Sequence, residues 1–544
     1  MKKFRGYRKR TGRFLRANRQ LYAWGALVVL LLSTVLWSLP GARLQQGNSD
    51  QLADGFLFEN SRTFHQALFP AEHTLLLKWP LFWLLKPLHY SAGSYSVLTV
   101  LLALASVSAL AFVLYRIIRQ PLIFGTLCLA LACVLVLVPA QIFSGVTAPL
   151  NMAMLTGRNI EYLIYIGVLV LYARSRRTIS RQWIAATLLL TLLLASDQLF
   201  VSLSLGGSLL LLGLGYCYKH KQLVSIAGRW FTGSAAAWLS AKILLWIIGK
   251  HVTGIVQGSS GPYSLINSWS SVLPAARYAL KGLAFNFGIT AAASRLTIIP
   301  ALANLVIAAA ILAASYRLIK KLCLNEKPAD IAVILSAMLL AATAAAFAAY
   351  IVTIHPYESD ARYLAIGLFA GFVTLAACLR SIKLNNRTVL FAGTVLFLAT
   401  VLGLLGVQRH TNRVMATDLL RQRNQLVAKA LQEHPEEILV GNYWRVLPIK
   451  DMTADARQAI IPLRSCVGPT ESLRSNAWLQ DLRQHSFAYV LSLRPSGIPS
   501  QLCNLHMIEF VYGPPSSIRY ISGNRYEPIE LLLFYDHGAA NTGH

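Results

Sequence analysis

Runs of about 20 apolar residues recur along this chain, each long enough to cross a ~30 Å hydrocarbon core as a helix. Eleven such segments are centred near residues 31, 106, 132, 167, 190, 209, 239, 307, 341, 371 and 398. In lipid every backbone N–H and C=O must find its partner within the protein, so segments of this length are predicted to be helices. The composition agrees: of 544 residues, 55% are hydrophobic and only 13% charged, far from the balance of a water-soluble domain. The first segment ends in "WSLPGARLQQ", without a small-x-small cleavage site, and more spans follow it. It reads as a retained span rather than a cleaved signal. The predicted fold class is an α-helical polytopic membrane protein of about 11 transmembrane helices.

The net charge of +28 would suit a nucleic-acid partner, but its distribution excludes that reading. Residues 1–407 carry 36 Lys+Arg against 10 Asp+Glu, and 25 of the 36 cations fall at the N-terminus and in short inter-span loops of one parity. These are "MKKFRGYRKRTGRFLRANR", "YRIIR", "ARSRRTISR", "YKHKQLVSIAGR", "YRLIKKLCLNEK" and "RSIKLNNR". Cations concentrated on alternate loops mark the cytoplasmic side, where the N-terminal run would rest on anionic lipid.

Eleven spans that start inside leave the C-terminus outside. Two domains are expected: a membrane domain at 1–407 and a soluble extracytoplasmic domain at 408–544. The latter has 14 basic and 12 acidic residues and no spanning segment. It opens with the helical pattern "TNRVMATDLLRQRNQLVAKALQEHPEE" and continues with "EILVGNYW", "FAYVLSL", "LHMIEFVYG", "SIRYISG" and "IELLLFYD", all read as strands. A helix followed by such runs predicts a small α/β module. Five of the seven cysteines lie in or beside spans as apolar filler. Cys466 and Cys503 lie in the outer domain, where a disulfide persists if their geometry allows one.

The predicted outer loops are the long ones. The first covers about 41–93 and holds "HTLLLKWPLFWLLKPLHY", interrupted by Pro80 and Pro87 and rich in Trp and Lys. It is predicted to lie at the headgroup level, and a stretch at 259–290 has a similar character.

Acidic residues are scarce enough to place one by one. Asp50, Asp54, Glu59 and Glu72 fall in the first outer loop, Glu161 at the mouth of the fourth span, and Asp197 where the fifth turns outward. Glu358 and Asp360 lie in the last short outer loop, and only Glu326 and Asp330 face the cytoplasm. Each could serve as a plain loop acid: Glu358 beside Arg362, or Asp197 bonded to nearby backbone. Together, eight of ten converge on one side, which also carries Arg158, Arg362, Lys78 and Lys250. Ionisable groups at membrane depth usually face a cavity or pathway. A sugar donor on a polyprenyl phosphate would use this set. A carboxylate takes the acceptor hydroxyl's proton, and arginines or a metal hold the departing phosphate.

In organisation the chain resembles the GT-C superfamily of integral-membrane glycosyltransferases, which use polyprenyl-phosphate sugars. The resemblance rests on an inside N-terminus, a long first outer loop with an early Asp, about eleven spans and a C-terminal extracytoplasmic domain. It implies Asp50 in "NSDQLADG" as catalytic base, with Asp54 as the near rival. It implies Arg158, Asn159 and Glu161 of "GRNIEY" as a polar cluster, with Asp197 and Glu358 beside it on the substrate side. It also implies Arg362 and Tyr363 of "SDARYLAIG" as phosphate contacts, with His73 and Lys78 of "HTLLLKWPLF" near the donor. The implied partners are a polyprenyl-phosphate-linked sugar, the lipid bilayer and an extracytoplasmic acceptor. The implied setting is the bacterial cytoplasmic membrane, and the reaction an inverting displacement.

The chain departs from the pattern in lacking the adjacent Asp-Glu pair of protein mannosyltransferases and the "WWDYG"-like signature of oligosaccharyltransferases. No cofactor is certain, and a divalent cation stays open. A divalent cation among Asp50, His65, His73 or Glu161 has no ligand spacing behind it. The rival readings are a transporter or lipid flippase, a polymerase or ligase of surface polysaccharide, and a non-catalytic membrane scaffold. Transporters carry polar residues near span centres, where this chain shows little beyond Lys242.

Overall fold

In a computed structural model, the described residues are 2–45, 92–137, 158–251, 265–266, 268–289, 295–324, 330–353, 363–382, 384–417, 419–433, 436, 438–453, 459–463, 482, 485–492, 504–521 and 530–536. The interfacial segment expected at 73–90 and the pair Cys466 and Cys503 lie outside them. Two compact units form, one drawn from residues 1–42, 98–242 and 262–413, the other built around 414–544.

The first unit is helical. Its helices are α1 (Lys2–Gln45), α2 (Ala92–Ile117), α3 (Pro121–Leu137), α4 (Ile160–Arg174), α5 (Arg181–Ser196), α6 (Leu199–Cys217), α7 (Lys221–His251), α8 (Val272–Asn286), α9 (Ile298–Leu324), α10 (Ile331–Val352), α11 (Ile366–Leu379) and α12 (Asn386–Thr417). Seven of them, α1, α2, α6, α7, α9, α10 and α12, contain stretches long and apolar enough to cross a membrane. The other four predicted spans fall on α3, α4, α5 and α11, whose described lengths are 17, 15, 16 and 14 residues. At 1.5 Å per residue these fall short of a ~30 Å core. Hydropathy marks an apolar helix wherever it is buried, and burial in a bundle does not require spanning length.

Two of the shorter helices show this directly. Pro121 opens α3 at a first-turn position where its missing N–H costs nothing, and from Leu122 onward all but Thr126 is buried. On α11 every residue from Ile366 to Ala377 is buried. A helix apolar on all sides belongs in the centre of a bundle. Conversely, Leu21, Leu312 and Phe391 on α1, α9 and α12 are more than 70% exposed. Such outward apolar faces suit lipid and not water. The chain is a helical membrane protein with a small C-terminal sheet.

Close approach is bought with small residues at two points. On α6, a Cβ added at Gly207 would meet the Ala342 Cα of α10 at 2.9 Å. After α8 the chain reverses at Gly288, with φ +63°, and a Cβ there would meet Asn304 Nδ2 at 2.6 Å and the Val134 carbonyl at 2.9 Å. Within the stretch at 259–290, α8 follows a short 3-10 turn at Trp269–Ser271 and is too short to span. Trp269, Leu273 and Leu280 face outward, exposed by 91%, 79% and 60%, the pattern expected of a helix lying at a membrane surface.

The second unit consists of α13 (Leu419–Gln432), β1 (Ile438–Asn442), α14 (Tyr443–Met452), β2 (Ala459–Leu463), β3 (Phe487–Ser492), α15 (Leu505–Tyr512), β4 (Ser517–Ile521) and β5 (Glu530–Tyr535). The sheet order is β2-β1-β3-β5-β4, with β1 parallel to β2 and β3, and β5 antiparallel to β3 and β4. Val427 and Leu431 of α13 join the buried strand residues in its core.

Two expectations change here. "LHMIEFVYG" forms the helix α15, because the Asn504 side chain accepts from the Met507 N–H at 2.8 Å and caps its first turn. The strand "AIIPL" at β2 went unpredicted. It carries Pro462, which a sheet tolerates at its edge, and β2 is an edge strand.

Candidate functional site

Four helix ends meet where α4 begins, α5 ends, α6 begins and the chain enters α11. The residues there are Arg158, Asn159, Glu161, Asp197 and Tyr363, five of the residues the sequence singled out. All but Tyr363 are buried, Asn159 and Glu161 completely. The opposite end of α4 carries Arg174 and leads into the basic loop at 175–180, so the cluster lies at the end away from that loop.

Local sequence explains how each side chain gets there. Asn159 caps α4, its Oδ1 accepting from the Ile160 N–H at 2.7 Å. Glu161 sits in the first turn, where a carboxylate suits the positive end of the helix dipole, and its Oε2 accepts from the Asn159 N–H at 3.1 Å. Asp197 closes α5 and opens α6, its Oδ1 accepting from the Leu199 N–H at 2.9 Å. Its Oδ2 pairs with Nε of Arg158.

Arg158 is thus committed to a carboxylate. Burial works against its charge, and the Asp197 carboxylate offsets part of that cost. The guanidinium carbon also lies 4.8 Å from the Tyr363 ring centroid, a cation–π contact. Together these contacts lock Tyr363 and the start of α11 to the starts of α4 and α6.

Below this layer lies an aromatic floor that no sequence pattern marked. The Tyr162 ring lies 5.9 Å from Phe200 and 5.7 Å from Phe369, and its buried hydroxyl has no hydrogen-bond partner. The only available signal was the position of Tyr162 beside Glu161. A π-helical turn at Ser202–Gly206 interrupts α6 just beyond Phe200, a device frequent at functional sites.

The other site candidates, Asp50, Asp54, His73, Lys78, Glu358 and Arg362, lie outside the described residues. Arg362 is the immediate chain neighbour of Tyr363. Among the described residues no group of three or more His, Cys, Asp or Glu is placed to hold a metal ion. Compared with protein-family models and with curated proteins, the chain matches none.

Proposed function

We propose that this protein is a membrane glycosyltransferase that moves a sugar from a polyprenyl-phosphate donor to an extracytoplasmic acceptor by inverting displacement. One observation supports this reading most: residues from three separate stretches, chosen from sequence as one site, converge in a single buried cluster at one end of the helices. Its burial suits positioning better than direct contact with substrate. Arg158 and Asp197 hold Tyr363, and its chain neighbour Arg362 would grip the departing phosphate with its planar fork. Asp50 would serve as base on the acceptor hydroxyl, and Glu161 and Asn159 would hold the start of α4. In this reading the cluster faces the extracytoplasmic side, and the setting is the bacterial cytoplasmic membrane.

A donor analogue with a photoreactive group in its polyprenyl tail tests the reading. Labelling is expected in α4, α6 or α11 of the purified chain, and weaker labelling in a Tyr363→Ala variant. No saturable labelling of those helices would count against a lipid-linked donor.

A further inference from the structure

We propose that the C-terminal unit holds an oxyanion-binding site, selective for phosphate or carboxylate groups, at the carboxyl edge of its parallel strands, with Arg445 and Arg423 as the binding groups.

The topology locates the edge. From β1 the chain passes through α14 to β2 on one side, and β3 then pairs on the other side of β1. Strand order therefore reverses between β1 and β3, and in open α/β sheets ligands bind outside the carboxyl ends of the strands at such a reversal. Helix α14 starts directly from the carboxyl end of β1, which sets its N-terminal dipole at that edge. Glu530 begins the antiparallel β5 and pairs with Ser492, the last residue of β3, so it lies at the same edge.

The side chains supply the second, independent observation. Nη2 of Arg445 donates to Oε1 of Glu530, and Nε of Arg423 lies 3.3 Å from the same oxygen. Arg445 and Arg423 are each more than nine-tenths buried, and Glu530 is fully buried. Among the described residues, two buried guanidinium charges thus share one carboxylate, a local excess of positive charge. Nε and Nη1 of Arg445 are buried without a hydrogen-bond partner, as is Oε2 of Glu530. Burial lowers the Arg445 pKa, Glu530 offsets part of that, and Arg423 adds to the fall. Buried donors left unpaired are costly, and an anion offering two or three oxygens in one plane would satisfy this pair.

The proposal is independent of glycosyl transfer and is tested by binding. The full-length chain in detergent is titrated with potassium phosphate, sulfate or acetate, ionic strength being held constant with potassium chloride, and its unfolding midpoint is followed. A bound anion raises the midpoint saturably. At least one of the three is expected to do so beyond chloride, and the phosphate and acetate arms show which oxyanion is preferred. In Arg445→Gln, and in Arg445→Lys should the first fail to fold, the apparent affinity is expected to fall at least about tenfold. Arg519→Gln, which breaks only the exposed pair with Glu433, should bind like the parent. No saturable response above chloride, or an equal response in the Arg445 variants, would overturn the proposal.

Discussion

Replacing Asp50 by Asn is expected to lower the rate of sugar transfer by about 10²–10⁴-fold, the range general-base catalysis supplies. Asparagine keeps the shape and hydrogen-bonding reach of the carboxylate but cannot accept the acceptor hydroxyl's proton. The loss should therefore appear in kcat, with donor affinity nearly unchanged. Asp54→Asn, four residues along the same loop, is expected to stay within about tenfold of the parent. The check is single-turnover transfer from a polyprenyl-phosphate sugar by each variant at saturating donor. Full activity in Asp50→Asn with loss in Asp54→Asn would pass the role to the rival.

The second large effect is on stability. Asp197→Ala removes the carboxylate that neutralises Arg158, and both side chains are only 3% exposed. Breaking a buried pair by deleting one partner typically costs about 3–5 kcal/mol, because the remaining charge stays buried and uncompensated. The Leu199 N–H loses its acceptor as well. Replacing both charges by apolar side chains, as in Arg158→Met with Asp197→Leu, is expected to recover much of that loss. Resistance to SDS-induced unfolding in mixed micelles measures both variants. If the pair also positions Tyr363, the double variant recovers stability without recovering transfer. Recovery of both would reduce the pair to a structural brace.

What the sequence discloses follows from how local each signal is. Every one of the eleven apolar segments lies on a helix, because burial and lipid both demand the same run of apolar residues. Length is less local: α3 and α11 are buried on all sides and need not span to be apolar. In "LHMIEFVYG" the apolar residues are too dense to separate a period of two from one of 3.6, and the Asn504 cap decides for the helix. Arg158, Glu161 and Asp197 stand out because charges are scarce in a membrane chain, whereas Asn159 and Tyr363 come only with the resemblance, in "GRNIEY" and "SDARYLAIG". The pairing of Arg158 with Asp197, 39 residues apart, was not legible, since it depends on how α4 and α5 pack. For the same reason the sharing of Glu530 by Arg423 and Arg445 shows only in the folded C-terminal unit.

The most direct test of the glycosyltransferase reading is the fate of the donor. The purified full-length chain is reconstituted in liposomes with polyprenyl-phosphate sugars and an envelope glycan acceptor, and the lipids are analysed by mass spectrometry. The expected result is free polyprenyl phosphate in step with sugar gained by the acceptor, with both lost in Asp50→Asn. Donor that changes leaflet with its sugar–phosphate bond intact would contradict the account and identify a flippase instead.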